Sequence, residues 1–281
     1  MPANRFASWW IACSLLLAIG AGLEGRPASA SELPAEFYRG RTFVTGQVEP
    51  GRSLGLARCL SQVFVKVSGD PHLLRHPGLP GTVARAASLV IDFKYRDLMA
   101  GIPVHDEQGT RDRPYELTAA FDPDKVDAAL HALGAKPWLA ARPRVVAFVG
   151  VRHVSTRFLL NSEGTHGPGM REALSDAASG VGLPIILPSS DVLAAAGLTE
   201  DTLHKAAPVD LAAVTKAAGG DAALLGELAW DGKALGWDAD WRMASNGKVE
   251  RWRVRGVNFD DAFRSGMQGA LQILATGARS N

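Results

Sequence analysis

The segment from residue 222 to residue 257 constrains the fold more than any other part of the sequence. Its Asn246-Gly247 pair is a strong signal for a two-residue β-hairpin turn between two stretches of β-forming residues. With the turn at this pair, residues that face each other across the hairpin have numbers that sum to 493. Trp241 therefore lies opposite Trp252. A slip of one residue would spoil the pairing on both faces of the hairpin. On the other face, this register opposes acidic and basic residues: Asp240 with Arg253 and Asp238 with Arg255.

The residues on either side of this hairpin extend it into a larger motif. Ala222–Trp230 is predicted to be a preceding strand, joined through Asp231-Gly232, which makes an antiparallel meander of three strands. The register has one unfavourable consequence, because Arg242 then faces Arg251. The amphipathic pattern of Asn258–Thr276 predicts a closing helix.

The rest of the chain alternates between strand and helix patterns. β-Forming segments predict strands at Tyr38–Gln47, Val90–Tyr95, Tyr115–Phe121, Arg144–Val151 and Leu183–Leu187. Helical spacing of apolar residues predicts helices at Pro50–Val67, Thr82–Leu89, Pro123–Leu133, Met170–Ser179 and Leu211–Ala218. Asp122 and Asp210 are the expected N-terminal caps of the third and the fifth of these helices. A long loop is expected between the strand at Arg144–Val151 and the helix that follows it.

These elements predict an α/β (α+β) fold made of two small mixed units. The first unit covers residues 31–137, and the second covers residues 138–281 and contains the meander and the closing helix. The proline-containing stretch Lys136–Pro143 is the expected connection between them.

The N-terminal 30 residues have the pattern of a cleavable signal peptide. Arg5 supplies a positive charge, and Trp9 to Gly22 forms an apolar run too short to cross a membrane comfortably. Ala28-Ser29-Ala30 is a small-x-small cleavage site, so the mature chain is expected to begin at Ser31 in a bacterial periplasm. The alternative of a lipoprotein anchored at Cys13 is disfavoured, because most of the apolar run follows that cysteine.

The charge and cysteine content of the mature chain exclude several classes of protein. The full chain has 30 basic and 29 acidic residues, and loss of Arg5, Arg26 and Glu24 leaves 28 of each. This balance argues against binding to nucleic acid or anionic lipid. No integral membrane segment is expected after residue 30. Cys59 remains as the single thiol and is predicted to be a buried apolar residue.

The sequence contains several partial motifs but no assembled catalytic set. His72 and His76 have the spacing of a helical metal site, but Leu73 replaces the expected glutamate. Gly164, Gly167 and Gly169 lie too far from the preceding strand for a dinucleotide motif. No catalytic residue, metal or cofactor is therefore predicted. The tryptophans of the meander are expected to pack in the core, with a glycan-binding surface as the alternative.

Several segments occur in a distinctive order along the chain: Ala57–Asp70, Phe93–Tyr95, Phe121-Asp122, Trp138 with Arg142-Pro143, Gly182–Pro188 with Asp191, and Trp237 with Trp241. Together they resemble a bacterial envelope family known as domain of unknown function 2066. The chain departs from the family pattern at Ser189-Ser190. The resemblance implies export and a two-part layout, and it implies no catalytic residues.

These observations favour a non-catalytic accessory or protein-binding factor of the cell envelope, with envelope proteins as partners. The first alternative is a periplasmic hydrolase or small-ligand-binding protein with its site between the two units. The second is a glycan-binding surface. The residues predicted to form a ligand or partner surface are Trp138, Arg142, His153, Arg157 and Asp191.

Overall fold

The computed structural model describes residues 33–101 and 113–277 of the chain. These residues form two β-sheets with helices packed against them, so the predicted α+β class is confirmed. The predicted signal peptide and Cys13 lie outside the described residues. Among the described helices, none is long and apolar enough to span a membrane.

The first sheet is antiparallel and consists of β1 (Arg39–Thr45), β2 (Val90–Asp97) and β3 (Pro114–Phe121), in the order β1-β3-β2. Its inner face packs on α1 (Gly51–Ser68), and α3 (Pro123–Ala132) completes this core. All five elements lie close to their predicted positions. The helix α1 is amphipathic, and its apolar residues on one face are buried against the sheet.

The connection between α1 and β2 contains short helices. They are a 3-10 helix at Pro71–Arg75, α2 (Leu79–Val83) and a second 3-10 turn at Ala86–Ser88. The predicted helix Thr82–Leu89 is wrong in its bounds. Pro80 lies in the first turn of α2, where its missing N–H is tolerated, so the helix begins earlier than predicted.

The second sheet combines parallel and antiparallel strands in the order β5-β4-β7-β8-β9, and β6 pairs with β4. The strands are β4 (Val145–His153), β5 (Thr156–Leu160), β6 (Ile185–Ile186), β7 (Ala222–Asp231), β8 (Gly236–Ser245) and β9 (Lys248–Val257). Both faces of β4 are buried, as its continuous apolar sequence predicts. β4 runs parallel to β7 and β6 and antiparallel to β5.

Helices cover both faces of this sheet. On one face, α4 (Pro168–Val181) and α8 (Phe259–Thr276) form the largest apolar core with the strands. The other face is covered by shorter helices: α5 (Ser190–Ala195), α6 (Glu200–Leu203), a 3-10 turn at Pro208–Leu211 and α7 (Ala212–Ala217). Each sheet therefore has its own core, and the division into two separate units remains a prediction.

The register of the meander is confirmed. Trp241 pairs with Trp252, and Asp240 pairs with Arg253. A bulge between Trp237 and Ala239 interrupts the predicted pairing at Asp238. The Asp238 carboxylate nevertheless lies 3.8 Å from the Arg255 guanidinium, so the charge pairing persists beyond the bulge.

Three predictions on the second sheet were wrong or incomplete. The loop expected after β4 contains β5, whose side chains alternate too weakly to identify a strand from the sequence. The helices α5 and α6 were not predicted, because each is shorter than two turns and gives no periodic pattern. Asp210 does not begin α7; its carboxylate accepts a hydrogen bond from Ala207 N at 3.0 Å instead.

Candidate functional site

A groove runs between β1 and α1 on one side and α4 and α8 on the other. It consists of a central cavity of about 700 Å³ and a cavity of about 460 Å³ at each end. Gln62 and Asp176 line both the central cavity and the first end cavity. Leu74 and Gln268 line both the central cavity and the second end cavity. We call these three adjoining cavities the junction groove, because they lie where elements of the first sheet meet those of the second.

One wall of the junction groove is the edge of β1 that pairs with no strand of the described residues. Arg41 N donates to Gln62 Oε1 at 2.8 Å, and Lys66 Nζ donates to Arg39 O at 2.9 Å. Both bonds come from α1, so these backbone groups point away from β3. The helix can reach them because Gly40 has no side chain: a Cβ there would lie 2.4 Å from Cys59 O. Side chains of α1 thus take the place of a neighbouring strand.

The ammonium group of Lys66 lies at the first end of the groove. Lys66 is only 8% exposed and bonds to the carbonyl oxygens of Arg39 and Glu36, at 2.9 and 3.4 Å. No described carboxylate forms an ion pair with it. Burial, and secondarily the charge of Arg41, lower the pKa of Lys66 to about 8. Its position in the last turn of α1 offsets part of this cost through the helix dipole.

The lining of the groove combines apolar side chains with charged ones, and the cationic groups outnumber the acidic ones. Six arginines and Lys66 line it, against four acidic residues: Glu36, Asp176, Glu250 and Asp260. Phe43 is 60% exposed and Leu74 is 44% exposed, and both line the central cavity. Arg41 forms ion pairs with Asp176 at 2.7 Å and with Glu116 at 3.4 Å. By contrast, four lining arginines form no ion pair with any described residue: Arg39, Arg58, Arg75 and Arg251.

Trp138 and Arg142, two of the predicted surface residues, lie together near the first end of the groove. The Arg142 guanidinium stacks 3.7 Å from the Trp138 ring centroid and 5.0 Å from that of Phe37. It donates to Lys66 O at 2.9 Å and to Val67 O at 3.3 Å, which are carbonyls at the end of α1. Burial lowers the pKa of Arg142 to about 10. Arg142 therefore caps α1 in this structure.

The other three predicted residues lie elsewhere. His153 ends β4, and its ring stacks on Trp237 with centroids 5.4 Å apart. Arg157 lies on β5 and pairs with Asp201 at 3.5 Å. Asp191 is exposed in the first turn of α5. Arg142 precedes β4 and His153 ends it, so the strand's length of about 30 Å separates them and the four charged residues do not converge. A ligand-binding role for these residues remains a prediction.

Sequence reasoning missed a second polar site, on the face of the second sheet beside α6. Glu227 on β7 is largely buried, and its two carboxylate oxygens accept from Arg242 at 2.7 Å and His204 at 2.6 Å. Arg152 lies 3.6 Å from Glu227 and 3.1 Å from Glu200. Oε2 of Glu200 is buried and has no hydrogen-bond partner among the described residues. We call these five residues the Glu227 cluster.

The Glu227 cluster explains how the chain tolerates Arg242 opposite Arg251. The Arg242 guanidinium turns toward Glu227 and donates to the carbonyls of Leu203 at 3.2 Å and Ala206 at 2.9 Å. The positive charge is therefore compensated by groups far along the chain. A pairing pattern along β8 and β9 alone cannot reveal them.

The weaker motifs have structural roles. His72 Nε2 lies 2.7 Å from Gln272 Nε2, and His76 Nδ1 accepts from Gly78 N at 3.1 Å, so the two imidazoles make separate contacts. The described residues contain no group of three or more side chains able to hold a metal ion. Cys59 is buried as predicted, and burial raises the pKa of its thiol to about 12.

The tryptophans of the meander belong to the core. Trp237, Trp241 and Trp252 are buried against the helices of the second sheet. The Trp252 Nε1 group donates to Ser265 O on α8 at 3.1 Å. A glycan-binding surface built on these three side chains is therefore excluded.

Comparison with known proteins corrects the family resemblance. Residues 33–139 match the family described as a domain of unknown function, DUF8605. The resemblance to domain of unknown function 2066 is therefore wrong. No curated protein matches the chain. The matched region contains the first sheet, α1 and Trp138, and its β1 and α1 form one side of the junction groove.

Proposed function

We propose that this protein is an exported, non-catalytic binding factor of the bacterial cell envelope that holds a partner protein in the junction groove. The proposal rests on one main observation: Phe43 and Leu74 expose large apolar surfaces inside a groove that also contains Arg58, which has no ion pair within the described part of the chain. Export is supported by the signal-peptide pattern of residues 1–30.

The composition of the groove fits a protein partner. Exposed apolar side chains gathered in one concave surface gain free energy when a partner removes them from water. Arginine beside an aromatic ring is typical of the residues that contribute most to protein interfaces. The net charge of the chain is only +1, so the cationic groove is a local feature that can select among partners.

Capture of partners from envelope extracts tests the proposal. Ala177→Trp places an indole inside the central cavity, and Ala128→Trp adds the same group on the exposed face of α3. We expect a reproducible partner with the original protein and the α3 variant, and its loss with Ala177→Trp. Thermal unfolding of both variants checks that they remain folded. Absence of a reproducible partner, or retention of it by Ala177→Trp, would contradict the proposal.

Export is tested separately, by expressing the full chain in a Gram-negative bacterium and fractionating the cells. We expect the protein in the periplasmic fraction, with an intact mass that corresponds to a chain beginning at Ser31. Substituting Ala28 and Ala30 with arginine should block cleavage and leave the longer chain. A cytoplasmic protein that keeps residues 1–30 would refute export.

A second candidate function, hydrolysis or binding of a small ligand, is favoured by the Glu227 cluster. A buried carboxylate that orients an exposed imidazole is the arrangement of a general base and its supporting acid. Nε2 of His204 has no partner among the described residues and can accept a proton from water. Turnover of p-nitrophenyl esters that is lost in His204→Gln and kept in His131→Gln would support this function; equal rates in both variants would refute it.

A further inference from the structure

We infer that the junction groove takes an extended, acidic polypeptide segment of the partner, which pairs as an added strand with the edge of β1 that no described strand occupies. This inference rests on the proposed function and specifies its partner. It is carried by the backbone geometry of β1, by the charges beside it and by the exposed side chain of Phe43.

The edge of β1 has backbone groups that face the groove. Residues of one strand alternate, so Arg39, Arg41 and Phe43 all point their N–H and C=O groups to the same side. Arg39 O and Arg41 N already accept and donate through Lys66 and Gln62. Phe43 shares their orientation, and no described side chain bonds to its N–H or C=O on that side. The bonds from α1 to this edge therefore end before Phe43, which lines the central cavity.

Arg58 lies beside this open position. It is one helical turn before Gln62 on α1, just as Gln62 is one turn before Lys66. Gln62 and Lys66 both bond to the edge of β1, whereas Arg58 lines the central cavity and forms no ion pair with the described residues. A carboxylate on a segment paired at Phe43 would compensate this charge.

Two further arginines extend the cationic surface. Arg75 and Arg251 line the second end of the groove and form no ion pair with the described residues. Leu74 lines both this end of the groove and the central cavity, so it connects the surface around these arginines with that around Phe43. A ligand that follows the groove thus meets apolar side chains and an excess of cationic over acidic groups. A strand with alternating acidic and apolar residues offers the complementary pattern.

The first experiment measures binding of a fluorescein-labelled peptide of about ten residues that alternates glutamate and leucine. The matched peptide replaces each glutamate with glutamine. We expect the acidic peptide to bind at least about tenfold more tightly, with an affinity that falls as salt is added. Arg58→Gln should weaken binding about fivefold or more, and Arg85→Gln, which replaces an exposed arginine outside the groove, should leave it unchanged.

The second experiment tests strand pairing directly. N-methyl groups are placed on alternate residues of the acidic peptide, in two versions that differ by one position. Only one set of N–H groups can face β1, so one version should lose binding and the other should retain it. Phe43→Pro removes the N–H group of Phe43 at the edge, and edge strands tolerate proline. This variant should therefore bind the acidic peptide more weakly, as the disruptive N-methyl version does.

The outcomes separate the inference from the proposed function. Equal binding of acidic and glutamine peptides, or equal effects of the two N-methyl versions, would overturn the inference. So would an oligonucleotide that binds as tightly and depends equally on Arg58. If the peptides do not bind, but a partner is captured by the original protein and lost in Ala177→Trp, the inference is wrong and the proposed function stands. If no partner is captured either, both are wrong.

Discussion

Replacing Lys66 with methionine should make the stability of the protein respond less to pH above neutrality. The Lys66 ammonium group is buried and bonds to the carbonyl oxygens of Arg39 and Glu36. The Glu36 carboxylate opposes the effect of burial on the pKa of this lysine, but no described carboxylate forms an ion pair with the ammonium group. Its pKa is about 8 in the folded protein, against an ordinary value of 10.5. A difference of this size corresponds to about 3 kcal/mol of unfavourable free energy for the charged form.

The direction of the effect follows from proton binding. Below pH 8 the amine is protonated in both states, and only the folded state bears the cost of burying the charge. Between pH 8 and 10.5 the unfolded state binds more protons than the folded state, so the free energy of unfolding rises with pH. Between pH 7 and 9.5 this contribution amounts to about 2 kcal/mol.

Urea unfolding followed by tryptophan fluorescence at about pH 7, 8.5 and 9.5 measures this contribution. The difference in unfolding free energy between the original protein and Lys66→Met should shift by about 2 kcal/mol in favour of the original protein. Loss of the bonds to Arg39 O and Glu36 O adds a constant offset. Lys216→Met, which removes an exposed lysine on α7, is the control. A difference for Lys66→Met that does not change with pH would refute the reasoning.

Three further substitutions test the packing and the charge networks, each by urea unfolding. Gly226→Ala should cost about 1–3 kcal/mol, since its Cβ would lie 2.3 Å from the Trp241 ring; an unchanged midpoint would contradict this contact. Arg142→Met should cost about 2–3 kcal/mol through lost bonds to carbonyls at the end of α1, and a smaller loss than for an exposed arginine would count against its capping role. Glu227→Gln should cost about 3–5 kcal/mol because it leaves the buried charge of Arg242 uncompensated, whereas a neutral effect would show that the carbonyl groups suffice.

The sequence predicted those parts of the fold that depend on neighbours along the chain. The pairing of Trp241 with Trp252 follows from the turn at Asn246-Gly247, whose residues both have positive φ, at 50° and 74°. Asp122 was similarly identifiable as the residue before α3, and its carboxylate accepts from Lys125 N at 3.3 Å. In both places a few adjacent residues specify the local conformation.

The sites could not be predicted in this way, because their residues meet only through the tertiary fold. Arg41 and Asp176 are 135 positions apart, and their ion pair depends on how α4 packs beside β1. His204 and Glu227 are 23 positions apart on elements of which one, α6, gave no sequence signal. The candidate residue Arg142 was recognisable as unusual, but its contacts with the end of α1 make it a cap in this structure.

The bonding pattern at the edge of β1 can be related to the sequence by comparing the residue spacing of the strand with that of the helix. Residues two apart on a strand are separated by about 6–7 Å, and residues four apart on a helix by about 6 Å along its axis. Gln62 and Lys66, four apart on α1, can therefore bond to Arg41 and Arg39, two apart on β1. Because the chain reverses between β1 and α1, the next step of both series brings Arg58 toward Phe43, where the bonds end. The same periodicity that brings α1 side chains to Arg39 O and Arg41 N thus leaves Phe43 without such a bond among the described residues. Phe43 lines the same cavity as Arg58, whose positive charge has no ion pair with any described residue.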